Sequence, residues 1–157
     1  MRSPQRCCFL VASIVVNFGL VYGQSGLVAS KGAPSSSVEI VVRLVNSNTA
    51  EPMNGKPIVV YLGRDKSSHL PEVFTNKQGR SAIELPPGTE WITVAESSQT
   101  VWHCSPFEKS TFATSDILEY GVVAVNTCDR KGKLKGKLTA KPGEVIVFVR
   151  PLRFPEQ

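Results

Sequence analysis

Glycine, proline and asparagine punctuate this chain so often that long helices are excluded and short alternating segments are favoured. There are 12 glycines and 11 prolines among 157 residues. Between them, apolar side chains recur every second residue, the period of a half-buried strand. In residues 38–44, Val38, Ile40, Val42 and Leu44 share one face, with Glu39 and Arg43 on the other. Residues 45–56 are rich in turn formers, Asn46, Asn48, Pro52 and Asn54-Gly55 among them. A second strand at 57–62 aligns Ile58, Val60 and Leu62, and a third at 80–85 turns Ile83 and Leu85 inward and Glu84 outward.

Pro86-Pro87-Gly88 forces a corner before a strand at 91–96, because proline donates nothing to a ladder and restricts the residue before it. Further extended segments are expected at 101–104, 121–126, 133–140 and 144–150. The last contains Val145-Ile146-Val147-Phe148-Val149, apolar on both faces, and is expected to be central or covered on both sides. One helical turn is expected at 115–120, with Asp116 and Glu119 spaced as a capping box and Gly121 as its stop. The pattern predicts an all-β fold, an antiparallel Greek-key sandwich of about seven strands.

The amino terminus sets the compartment. Arg2 and Arg6 precede a short apolar run that closes on Val21-Tyr22-Gly23, the pattern of a secretory signal peptide over residues 1–23. The run is shorter than a membrane span and is broken by Asn17 and Gly19, so no stable membrane insertion is expected after cleavage. Residues 24–37, rich in Gly, Ser and Ala, read as a flexible linker, and 38–157 as one domain. The protein is expected to be secreted or periplasmic. Cys7 and Cys8 leave with the signal, so Cys104 and Cys128 remain as a pair in an oxidising compartment and are expected to form a disulfide. Closing a loop of about 25 residues is worth roughly 3.5 kcal/mol by loop-closure entropy.

Several of these segments together resemble a family. Residues 38–44, the stretch Gly55-Lys56-Pro57-Ile58-Val59-Val60-Tyr61-Leu62, the turn Thr75-Asn76-Lys77-Gln78-Gly79-Arg80 and the corner Leu85-Pro86-Pro87-Gly88-Thr89 look like carboxypeptidase regulatory-like domains, the transthyretin-like or prealbumin-like sandwiches. The ending, from Pro142-Gly143-Glu144 to Arg150-Pro151-Leu152, looks like the tails of small secreted bacterial members. The resemblance implies an immunoglobulin-like two-sheet fold and leaves function open. Its enzymatic branch, the hydroxyisourate hydrolases, ends in a Tyr-Arg-Gly-Ser signature that this chain lacks.

Chemistry-bearing patterns are few, and the expectation is a non-enzymatic protein with no catalytic residues, cofactor or metal. The two histidines, His69 and His103, make a poor ligand set. A small secreted hydrolase is the alternative, and would need a histidine, a carboxylate and a serine in one cleft. Net charge is +5, two of the cations lying in the signal, too mild to indicate nucleic acid.

Lys131, Lys133, Lys135 and Lys137 recur every second residue, and in an extended strand all four would line one face. Such a comb attracts acidic polymers, or else protects a sheet edge from aggregation. Trp91 and Trp102 either stack on sugar rings or fill the core. The function expected is a binding or structural module of the cell envelope that recognises polysaccharide or the surface of an envelope protein.

Overall fold

A computed structural model describes residues 36–97, 101–134 and 136–152. The expected signal peptide, most of the expected linker, Lys135 and the Trp102 side chain lie outside the described residues. The strands are β1 (Val38–Asn46), β2 (Pro57–Leu62), β3 (Ser68–His69), β4 (Val73–Phe74), β5 (Arg80–Leu85), β6 (Trp91–Glu96), β7 (Val101–His103), β8 (Thr111–Ala113), β9 (Val122–Val123) and β10 (Glu144–Pro151). A 3-10 turn (Phe107–Lys109) and a short α-helix, α1 (Thr114–Tyr120), interrupt them.

The fold is an all-β sandwich. One sheet runs β5-β1-β10-β7, with β9 also on β10, and the other runs β3-β2-β6-β8, with β4 also on β2. Alternation places Ile40, Val42, Leu44, Ile83, Leu85, Val145, Val147 and Val149 of the first sheet against Ile58, Val60, Ile92 and Val94 of the second. Each such side chain removed from water contributes about 1.5–3 kcal/mol. Ile117 of α1 and Ala124 complete that core.

Strand β10 is buried from Glu144 to Val149 on both faces. Its inward residues belong to the sandwich core, while Ile146 and Phe148 form a second cluster on the outer face with Val45, Cys104 and Ala140. Leu134, Leu138 and Cys128 pack against that cluster. A strand apolar on both sides requires two covers, and the chain between β9 and β10 supplies the second.

The structure corrects the wholly antiparallel expectation. β1 and β10 pair in parallel, from Val41 opposite Glu144 to Asn46 opposite Val149, and β9 also runs parallel to β10. No hairpin fixes the direction of two strands from opposite ends of the chain, and the whole intervening chain serves as the crossover.

The described residues of the stretch 133–140 do not form a strand either. Gly132 and Gly136 take φ of 63° and 71°, a left-handed conformation, and the backbone folds into successive turns closed by Gly132 N–H to Asp129 O at 3.1 Å and Lys137 N–H to Leu134 O at 3.1 Å. Helix α1 starts at Ala113 without a side-chain cap, so the expected capping box does not form, whereas Gly121 does stop it, its N–H bonding Ile117 O at 3.0 Å.

Turn chemistry fixes the register of β5. Asn76 Oδ1 accepts the N–H groups of Gln78 and Arg80 at 2.9 and 3.0 Å. Gly79, at φ 70°, lies so close to β1 that a Cβ there would stand 2.5 Å from Leu44 O. The following Arg80 reaches across to β10, where its guanidinium meets Glu144 Oε1 at 2.9 Å. Glu144 Oε2 accepts the Lys141 N–H at 3.2 Å, so this nearly buried carboxylate is held on both oxygens.

Arg80→Ala strands the Glu144 carboxylate, and a buried charge left without its partner costs about 3 kcal/mol. Urea denaturation is expected to show that loss, and Arg80→Ala combined with Glu144→Gln to recover part of it.

Candidate functional site

The chain covering the outer face of β10 is held by polar contacts rather than a ladder. Cys104, just after β7, is joined to Cys128 by a disulfide with Cα atoms 5.3 Å apart. The expected staple is therefore formed, and it ties the first sheet to the covering loop instead of joining two neighbouring strands. Thr127 donates both its N–H and its hydroxyl to Cys104 O, each at 2.8 Å. Asn126 spans the junction, donating Nδ2–H to Ser47 O at 2.8 Å and accepting the N–H groups of Cys128 and Asp129 at 3.2 Å.

Asp129 organises the next turns. Its Oδ2 accepts the Leu134 N–H at 2.7 Å and its Oδ1 the Lys133 N–H at 3.0 Å. The Leu134 amide holds the carboxyl below its ordinary range, desolvation opposes it, and the amides of Lys133 and Lys131 and the Lys133 charge add to the lowering. Asp129 thus stays ionised, its charge engaged by the backbone of its own loop.

The lysines expected to form a comb are distributed by these turns. Lys131 and Lys133 line an open concavity of about 540 Å³ with Arg130, Arg150, Asp129 and Asn48, next to the disulfide. Lys137 is not part of its lining. Four cations and one carboxylate already bonded to amides therefore line the same hollow. Arg130 and Arg150 carried no periodic signal, because they come from the loop and from the end of β10. The cluster Asn126-Thr127-Cys128-Asp129 was the available clue, a run of turn formers around a cysteine.

On the other side of Asp129 lies a smaller cleft of about 340 Å³. Its walls are largely apolar, from Val123, Val125, Leu134, Leu138 and Phe148, with Asn126 and Asp129 at one edge. Val125 is 51% exposed and Val123 38%. Sequence alternation assigned these valines to a strand, and the cleft arises only because the loop arches over β10.

A second array sits on the other sheet. Trp91 is half-buried and lies outside the core cluster, with the Arg64 guanidinium 3.8 Å from its ring centroid. Tyr61 of β2 contacts His69 and Phe107 edge-on, at centroid distances of 5.7 and 5.4 Å. Lys66 Nζ stands 3.8 Å over the Phe107 ring, on a residue whose φ of 56° is uncommon outside glycine. Trp91 is therefore not a core filler. One of its faces is occupied by an arginine, a favourable arrangement for a cation over the most electron-rich ring.

The histidines lie on different sheets. His69 is exposed on β3, its Nδ1 3.0 Å from Leu70 O. His103, on β7, has an Nε2 that is buried and lacks a hydrogen-bond partner among the described residues. Desolvation lowers its pKa, more than a backbone hydrogen bond involving Ser105 raises it.

No family model matches the chain, and no curated protein is similar enough in sequence to be recognised as a relative.

Because desolvation lowers the His103 pKa in the fold, the unfolded chain binds more protons than the folded one as pH falls through 6.5, the ordinary value. Stability is therefore complete above that pH and declines beneath it. Thermal melting at pH 7.5 and 5.5 is expected to separate more for the wild type than for His103→Phe, whose difference between the two pH values shrinks.

Replacing Cys104 and Cys128 together by Ser releases the covering loop. The expected cost in urea is about 3.5 kcal/mol, with new protease cleavage confined to residues 127–140.

Proposed function

We propose that this protein is an exported, non-catalytic binding module of the cell envelope whose ligand presents clustered negative charge, as an acidic polysaccharide does. The observation that carries this reading is the concavity lined by Arg130, Lys131, Lys133 and Arg150, together with one carboxylate already engaged by amides. Convergent cations attract polyanions over a distance set by the ionic strength. The disulfide agrees with an oxidising compartment, and among the described residues no helix is long and apolar enough to cross a membrane. The signal-peptide pattern at residues 1–23 supports export.

The two-sheet sandwich and the Gly79 turn leading to the Pro86-Pro87-Gly88 corner support the resemblance to transthyretin-like, carboxypeptidase regulatory-like domains and a Greek-key ancestry for the connections. The non-catalytic reading draws support from the histidines. They stand on separate sheets, one against its neighbour's carbonyl and the other with a buried, unpaired nitrogen. A second contact with carbohydrate is favoured by Trp91, whose ring borders an open concavity with Arg64, Thr89 and Glu90.

Polygalacturonate and neutral dextran serve as probes for the mature chain in 50 and 500 mM sodium chloride. Polygalacturonate is expected to bind at low salt and to weaken about tenfold or more at high salt, with dextran inert. The triple change Arg130→Ser, Lys131→Ser, Lys133→Ser is expected to remove that binding, whereas Lys137→Ser retains it. Equal binding of both polymers, or binding indifferent to the triple change, would overturn the proposal.

A further inference from the structure

We infer that the cationic concavity also takes an amphiphile, an acid group joined to an aliphatic chain, with the chain seated in the apolar cleft that shares Asp129 with it. The inference rests on the proposed anion-binding role and adds a second class of molecule to it.

Asp129 lines both hollows, so the two adjoin at that residue. One side presents Arg130, Lys131 and Lys133, and the other presents Val123, Val125, Leu134 and Leu138. A volume of about 340 Å³ is within the range of small-molecule sites, and apolar walls with a few polar groups at one edge are their usual composition. The side chain between the hollows is not an isolated negative charge, because Lys133 and Leu134 donate to it. An acid group beside it meets an excess of cations.

The cleft also has exposed apolar surface that the fold leaves unused. Val125 and Val123 are half to a third open, although both adjoin the second hydrophobic cluster through Phe148. An aliphatic chain laid over them would remove that surface from water, and the neighbouring cations select for a molecule with a negative end. An uncharged lipid leaves the cations unmatched, whereas a purely polar anion such as polygalacturonate engages the concavity alone.

Octanoate, acetate and octanol separate the two halves, the first carrying head and tail and the others one each. Titrations of the mature chain followed by methyl and amide NMR are expected to show octanoate binding at least about tenfold tighter than acetate, the ratio given by burying only two or three methylenes. The shifts are expected at the methyls of Val123, Val125, Leu134 and Leu138 and at the amides of residues 130–133. Val125→Trp fills the cleft from an exposed position and is expected to reduce octanoate to the affinity of acetate while leaving acetate unchanged. Lys131→Ser with Lys133→Ser is expected to weaken octanoate and leave octanol unaffected. Melting temperatures verify that each variant is folded.

Octanoate binding no tighter than acetate would overturn the amphiphile while leaving polygalacturonate binding intact. Octanoate binding no tighter than octanol, or shifts remote from both hollows, would overturn it as well. Loss of polygalacturonate binding alone, with octanoate still seated, would instead remove the polymer reading.

Discussion

Strand β10 is apolar on both faces, and that requirement shapes the rest of the molecule. Val145, Val147 and Val149 point into the sandwich, where the opposite sheet covers them. Ile146 and Phe148 point the other way, toward what would be solvent. Leaving two large side chains wet on the central strand forfeits several kcal/mol. The sequence between β9 and β10 answers that demand, with Leu134 and Leu138 as its apolar contribution.

A covering loop of this kind faces a difficulty that a strand does not. Its amides and carbonyls have no ladder, so each buried group needs a local partner. Asn126, Thr127 and Asp129 supply them through short side chains that mimic backbone turns, and the disulfide anchors the loop to the end of β7. The lysines between these anchors belong to turns whose inward positions are taken by Leu134 and Leu138. The candidate binding surface thus arises from the same construction that completes the core. Cations collect where the loop arches, and an apolar cleft remains where the arch does not fully meet β9.

Alternation made β1, β2 and β5 legible in the sequence, because each carries buried residues at alternate positions and ends at a turn former. The doubly covered nature of β10 was equally visible in its unbroken apolar run. Strands β3 and β4 were not legible. Each is two residues long in a polar stretch and exists because β2 offers an edge to pair with. The parallel pairing of β1 with β10 depends on contacts between the two ends of the chain, which no local pattern records. Lys131, Lys133 and Lys137 misled because a period of two is also what lysine–glycine turns produce, and the glycines at 132 and 136 outweigh the alternation.

The same correction bears on why the lysines are there. Protection of a sheet edge explains lysines only where an edge exists, and the ends of the two sheet paths are β5 and β7 in one sheet and β3 and β8 in the other. Lys131, Lys133 and Lys137 lie in turns and belong to none of these strands. Edge protection therefore does not account for them. Solubility alone would be served by charges scattered over the surface, whereas Lys131 and Lys133 line one concavity with Arg130 and Arg150. Convergent cations raise the local positive potential, and that physical property underlies the proposed attraction for an anion.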